Sequence, residues 1–263
     1  MSPDAAARAA RTLLDARRGA YKIPGLPAEC RPRDLDDAYQ IQDALLALMG
    51  EASSGWFLAC TAPAMQKAHG LPAPYFGRML ANAVFDSPAK VAIGPSPKGW
   101  SVEIELIFRM GRDLPPRAAP YGEAEVVSAV SAMLPGLELV DGRFEDMLKV
   151  DGPTLVADNG TDGVLVRGTS MKDWQPIHRA NIATRLLIDG EMASPGSAAS
   201  VMGAPLNALV WLANELSKRG HALKAGETVN TGNCLARYTF ARAGQTVVAD
   251  CGPLGTASAK LIP

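Results

Sequence analysis

The chain has 263 residues, 48% of them hydrophobic and 20% charged, which is ordinary globular composition and long enough to bury a large core without disulfides. A formal charge of −1 supplies no field for nucleic acid or an anionic membrane surface, and the expected ligand is a small molecule. The four cysteines share no C-x-x-C spacing, and no run of residues is long and apolar enough for a membrane span, so the pattern is that of a reduced cytoplasmic protein.

In chain order, Ala9, Leu13 and Ala16 recur at helical spacing within Pro3–Arg18, with Asp4 as the expected N-cap. Tyr21–Pro32 is broken by Pro and Gly and reads as a loop. Asp34 then opens a second helix whose Ala38, Ile41, Leu45 and Leu48 share one face, with Gly50 as its stop. Beyond residue 54 short apolar runs alternate with turn residues: Trp56–Ala59, Val91–Ile93, Val102–Phe108, Gly136–Val140, Gly163–Val166, Ala183–Ile188, Thr228–Thr231 and Thr246–Ala249. Two helices interrupt them, Glu123–Met133 and Pro205–Arg219; Trp211 in the second reads as core. The fold class is α+β, with a small helical lobe over residues 1–53 and a β-rich body over residues 54–263.

Chemistry concentrates in Ser101–Phe108. As a strand it turns Val102, Ile104 and Leu106 to one face and Glu103, Glu105 and Ile107 to the other, with the two glutamates about 7 Å apart at Cα. Carboxylates that close repel unless a cation offsets them, although the same pattern fits the wet face of an antiparallel strand. Glu138, between Leu137 and Leu139, adds a third carboxylate in an apolar run, and by itself also fits a surface position. His69, His178 and His221 have no ligand spacing, so an all-oxygen site suits Mg²⁺ or Mn²⁺ better than Zn²⁺. A 2-oxo acid would complete such a site, and the cation would stabilise the enolate formed beside the carbonyl.

Several segments in order resemble 2-keto-4-pentenoate hydratases and 4-oxalocrotonate decarboxylases of the fumarylacetoacetate hydrolase superfamily. They include Ala38-Tyr39-Gln40-Ile41-Gln42, Thr61-Ala62-Pro63-Ala64-Met65-Gln66, Val102-Glu103-Ile104-Glu105 and Leu137-Glu138-Leu139-Val140-Asp141-Gly142-Arg143. Ala157-Asp158-Asn159, Leu223-Lys224-Ala225-Gly226-Glu227 and Gly252-Pro253-Leu254-Gly255 continue the series, so the resemblance spans almost the whole chain. It implies a mixed β-rich fold, a homo-oligomer, a small keto-acid substrate, and Mg²⁺ or Mn²⁺ on Glu103, Glu105 and Glu138. It further implies catalytic roles for Asp158, Asn159, Thr161 and Arg143, and substrate contacts from Phe57, Thr61 and Gln66. Asp158-Asn159-Gly160 also fits a plain turn, and Arg143 fits either a substrate carboxylate or an ion pair with Asp141 or Glu145.

The resemblance breaks at one point. Relatives carry a catalytic lysine in the segment that here reads Gly55-Trp56-Phe57-Leu58-Ala59-Cys60-Thr61-Ala62-Pro63, and Phe57 occupies its position. Phenylalanine cannot move a proton; Lys67 and Lys90 are the nearby lysines considered as substitutes, each also fitting a solvated surface position. The leading reading is a metal-dependent lyase, a hydratase or decarboxylase, acting on a 2-oxo or 2-hydroxydienoate acid. The alternatives are an acylpyruvate-type C–C hydrolase, a keto–enol tautomerase, or a non-catalytic metal-binding homologue acting as a partner subunit.

Overall fold

The computed structural model describes residues 1–94, 96, 98–177 and 181–263; His178 lies outside them. Helix α1 (Pro3–Gly19) starts at Ser2, whose hydroxyl accepts from the Ala5 N–H, so the N-cap is Ser2 and not the expected Asp4. Asp4 instead sits in the first turn, where a carboxylate favours the helix dipole. Helix α2 (Leu35–Met49) is capped as expected, by the Asp34 side chain at its start and by Gly50 in left-handed conformation at its end. The two helices pack on each other, and α2 packs on the short α5 (Gly152–Ala157). Ala9, Leu13, Ile41 and Leu45 belong to the same hydrophobic core as the strands that follow.

The larger sheet runs β2-β1-β10-β5-β6-β7-β3, with β11 (Phe240–Ala241) added beside β5. Its members are β1 (Ser53–Ala59), β2 (Tyr75–Leu80), β3 (Val84–Asp86), β5 (Trp100–Met110), β6 (Val130–Val140), β7 (Val164–Arg167) and β10 (Thr228–Asn233). The smaller sheet runs β4-β13-β12-β8-β9, from β4 (Ala89–Ala92), β8 (Ala183–Ile188), β9 (Glu191–Ser197), β12 (Thr246–Asp250) and β13 (Thr256–Ile262). Both sheets mix parallel and antiparallel pairs, as in β1 with β10 and β5 with β6. The architecture is α+β.

One predicted helix is cut short. Helix α4 spans only Glu123–Ala129, and the chain enters β6 at Val130, which pairs with Met110 beyond a bulge at Ser131 of β6. Extending the β5–β6 ladder satisfies more backbone groups than another helical turn, and β-branched Val130 suits the extended state. Helix α6 (Pro205–Lys218) buries Leu206, Leu209, Leu212 and Leu216, while Trp211 lies half-buried against the core. Strands β2, β3, β9 and β13 and helices α3 (Pro63–Ala68) and α5 carried no sequence signal strong enough to be expected. Among the described residues no helix is long and apolar enough to cross a membrane, and all four cysteines are free thiols.

Candidate active site

Alternation along β5 works as the sequence requires: Val102, Ile104 and Leu106 are fully buried on one face. The opposite face is not solvent. Glu103 stands directly across from Glu138 in the β5–β6 register, and Glu105 lies opposite Gly136. Glu105 and Glu138 are buried at 1% and 3% exposure, Glu103 is half-buried, and all three line one cavity of about 320 Å³, large enough for a small organic acid.

No cation among the described residues pairs with any of the three. Burial first and then the Glu138 charge push the Glu103 carboxyl up to about 8. Burial, Glu138 and Glu103 together raise Glu105 well above the carboxylate range, against the pull of its hydrogen bond from the Gly232 N–H at 3.0 Å. Glu138 is also raised by burial, although a hydrogen bond with Glu105 and the nearby Asn230 amide favour its ionised form. Asn230 is fully buried, and its amide nitrogen and oxygen make no hydrogen bond of ordinary geometry. Its amide therefore faces Glu138 without closing on it.

These residues fit a hard divalent cation. Three carboxylates on adjacent strands, two of them buried and none with a positive partner among the described residues, supply the oxygen ligands that Mg²⁺ or Mn²⁺ prefers. Among the described residues no three ligating side chains are already gathered around one point. Glu105 and Glu138 lie close enough to raise the Glu105 carboxyl, and a cation between them would relieve that repulsion.

Gly232 shows why the strand must bulge here. The β10–β5 register shifts between Asn230 and Asn233, φ at Gly232 is +112°, and a Cβ there would lie 2.4 Å from the Thr61 Oγ1. Only glycine lets the Gly232 N–H reach Glu105 while Thr61 packs behind it.

Phe57 pairs with Asn230 on one side and Gly77 on the other, facing the same interior as the glutamates. It packs with Met79, Ile107, Leu134 and Leu165 in a small apolar cluster separate from the main core, and part of its ring reaches the cavity wall. A Cβ at Gly77 would fall 2.4 Å from this ring, so the missing side chain makes room for it. Lys67 and Lys90 are both exposed and neither lines the cavity.

The other anticipated residues divide. Thr61 and Thr161 line the cavity. Gln66 does not; its amide donates to the Cys60 carbonyl at 2.9 Å and fastens the end of β1 to α3. Asn159 is buried away from the cavity and imitates a strand: its side chain accepts from the Arg78 N–H at 2.8 Å and donates to the Arg78 carbonyl at 2.9 Å. Asp158 and Arg143 are also off the cavity wall, in a buried ion network with Arg17 and Asp162. Arg17 reaches from α1 to Asp158 Oδ1 at 2.9 Å and Asp162 Oδ1 at 2.5 Å. Arg143 Nε lies 3.2 Å from Asp158 Oδ2, and its Nη2 donates to the Asp162 carbonyl at 2.7 Å. Arg143 thus pairs with neither Asp141 nor Glu145. Burial would raise the Asp158 carboxyl, but Arg143 and then Arg17 outweigh it and hold the group below its usual range.

Sequence reading missed Tyr75, Cys60, His69, Arg237 and Tyr238, all on the cavity wall. His69 is held by Nδ1, 3.0 Å from the Val150 carbonyl. His221 sits elsewhere, beside Trp56 on an outer niche.

Comparison with known proteins decides the family. Residues 46–262 match the fumarylacetoacetate (FAA) hydrolase C-terminal domain. The chain belongs to this family. It is 32% identical over 252 residues to 2-keto-4-pentenoate hydratase of Burkholderia vietnamiensis, covering 94% of each chain. It is 31% identical over 237 residues to the hydratase of that name from Paraburkholderia xenovorans, covering 88% of this chain and 86% of the relative. In three dimensions it is similar to 4-oxalocrotonate decarboxylase from Pseudomonas putida, solved with magnesium and adipate: TM-score 0.89, 22% identity, covering 100% of this chain and 99% of the other. Fumarylpyruvate hydrolase from Pseudomonas aeruginosa, solved with Mn²⁺ and pyruvate, shares the fold at TM-score 0.61 and 18% identity, covering 79% and 88%. The likenesses in structure establish the family fold, and the sequence identities are to proteins named 2-keto-4-pentenoate hydratase.

Proposed function

We propose that the chain is a metal-dependent lyase, a hydratase or decarboxylase, acting on a small 2-oxo or 2-hydroxydienoate acid. The observation that carries this reading is the trio of glutamates on one cavity wall with no cation beside them among the described residues. Glu103, Glu105 and Glu138 would hold Mg²⁺ or Mn²⁺, and a cation so held supplies a Lewis acid for the enolate charge that develops beside the keto group. Thr61 and Thr161 offer hydroxyls to the bound acid, and Phe57, Leu58 and Leu235 exclude water around its carbon chain. Asp158, Asn159 and Arg143 support the wall from behind, and Gln66 holds the strand end that carries Thr61. Residues 1–53 serve as the supporting lobe and 54–263 as the body that carries the chemistry.

Phe57 favours the decarboxylase arm. In that reaction the carbon–carbon bond to the departing carboxylate breaks, its electron pair stays on the α-carbon as enolate, CO₂ leaves, and solvent can return the proton. No cationic acid–base group is demanded at position 57, whereas water addition across a diene requires a placed proton donor and acceptor. The homologous hydratases keep the water-addition arm alongside it. We take the working species to be a cytoplasmic homo-oligomer binding a small keto acid, with the exposed Met192 on edge strand β9 as an apolar contact between copies.

The test is spectrophotometric. Purified protein with Mn²⁺ should consume 2-hydroxypenta-2,4-dienoate or oxaloacetate, followed by loss of absorbance. Retention of both chromophores by protein shown to bind Mn²⁺ would sink the lyase reading and leave a metal-binding homologue.

A further inference from the structure

The turn Asn159-Gly160-Thr161 has three consecutive residues in the left-handed region, with φ of 50°, 65° and 63°. Such a conformation costs free energy at each non-glycine position and persists only where the surroundings over-determine it. Here they do: the Asp158 and Asp162 carboxylates at its two ends are gripped by Arg17 and Arg143, and the Asn159 amide is paired with the Arg78 backbone. At Gly160 a Cβ would strike Tyr75 Cε2 at 2.7 Å and the Phe57 ring at 3.0 Å, so glycine lets two aromatic rings close on the turn.

The rings differ by one oxygen, and that oxygen is placed with care. Tyr75 is 3% exposed and lines the cavity; it stands opposite Ala59 in the β1–β2 register, and Ala59 offers the cavity only a methyl group. The Tyr75 hydroxyl donates to the Gly160 carbonyl at 3.4 Å, and the Thr161 hydroxyl donates to the same carbonyl at 2.5 Å. Two donors converge on one acceptor, and the tyrosine has the worse geometry, well beyond the usual 2.7–2.8 Å for O–H···O. Little is lost if it turns to another oxygen. Burial first, and then the Cys60, Glu103 and Tyr238 groups, hold the phenol far on its protonated side, so it remains a neutral donor beside the carboxylates.

We propose that the Tyr75 hydroxyl, seated with Thr161 on the Gly160 carbonyl, is a hydrogen-bond donor to an oxygen of a bound 2-oxo acid, beside the threonine hydroxyls. This rests on the keto-acid reading above. Phe57 has no donor to offer, and Tyr75 comes to the same turn from the neighbouring strand. Exchanging a long bond to a carbonyl for a short one to an anionic oxygen is favourable because charge-assisted bonds are about twice as strong as neutral ones. No proton leaves the phenol in this role.

Tyr75→Phe deletes the oxygen and keeps the ring. With Mn²⁺-loaded protein and pyruvate in a calorimeter, Y75F should bind pyruvate about 10-fold more weakly than wild type, which is about 1.4 kcal/mol. Mn²⁺ affinity without pyruvate should stay within about 2-fold, since the change leaves all three glutamates intact. Wild-type pyruvate affinity in Y75F overturns the proposal while leaving the keto-acid reading standing, and so does an equal loss of Mn²⁺ and pyruvate binding. Wild-type protein that takes Mn²⁺ but not pyruvate overturns the keto-acid reading and this inference with it. If Y75F does not fold, the Tyr238→Phe protein leaves Tyr75 as the only tyrosine on the wall among the described residues. Its ultraviolet difference spectrum on adding pyruvate should then show a tyrosine red shift, and a flat spectrum with pyruvate bound overturns the proposal.

Discussion

Two groups of carboxylates, nearly all buried, lie close together in this molecule, and they are handled in opposite ways. Asp158 and Asp162 are each met by two guanidiniums, Arg17 and Arg143, in a closed set of ion pairs and hydrogen bonds. Glu103, Glu105 and Glu138, on the cavity side of the same turn, meet no cation among the described residues; a backbone N–H reaches Glu105, and the Asn230 amide does not close on Glu138. A buried charge that is paired serves architecture; one left unpaired on a cavity wall is destabilising unless something arrives to pair with it. The Asp158–Asp162 set explains how a strained turn is held against the cavity, and the glutamates put three carboxyl groups on that cavity's wall.

The comparison can be broken most sharply at Arg17. Arg17→Met strips one cation from two buried aspartates and should cost about 3–5 kcal/mol of stability. Chemical denaturation measures it, and a loss under about 1 kcal/mol would mean the network is not what fixes α1 to the body. On the other side of the turn the sign reverses. Glu138→Gln removes a buried charge, so the metal-free protein should hold or gain thermal stability. Its Mn²⁺ affinity should fall at least about 100-fold, roughly 2.7 kcal/mol by calorimetry. Unchanged Mn²⁺ affinity would remove Glu138 from the metal site.

The smallest expected effect is in pH. Glu103 is raised in the folded protein to about 8, from a model-peptide carboxyl near 4.3. Between those values the folded state binds more protons than the unfolded state, so its contribution to metal-free stability declines as pH rises through that window. The limiting slope is about 1.4 kcal/mol per pH unit for each group that titrates. Asp158 is depressed and acts in the other direction, its contribution being lost only as pH falls through the folded value below the ordinary aspartate range. Metal-free protein should therefore lose melting temperature between pH 6 and 8 and regain it with Mn²⁺, which replaces the protons. A flat profile from pH 6 to 8 would show that the glutamates are already ionised and compensated.

Much of the site could be read before any fold was known, because it is written in short-range geometry. Alternation along one strand put Glu103 and Glu105 on a common face, and the paired strand returned Glu138 directly opposite Glu103. What stayed hidden has no periodicity. Tyr75 follows Pro72 and Pro74 with no periodic signal around it, and its hydroxyl reaches the Gly160 carbonyl only because β2 lies beside β1. The helix expected through Met133 stops at Ala129 because β5 was long enough to claim Val130 onward, which no window of local sequence contains.

The caps of α2, the strand faces of β5 and the α+β class followed from the chain itself, since caps and faces depend on neighbours one to four residues away. Which carboxylates are neutralised was decided only in three dimensions. Arg17 lies 141 residues from Asp158, and burial and pairing are properties of the assembled core. Asp158 and Arg143 thus lie paired and off the cavity wall, while the three glutamates line it with no cation beside them among the described residues.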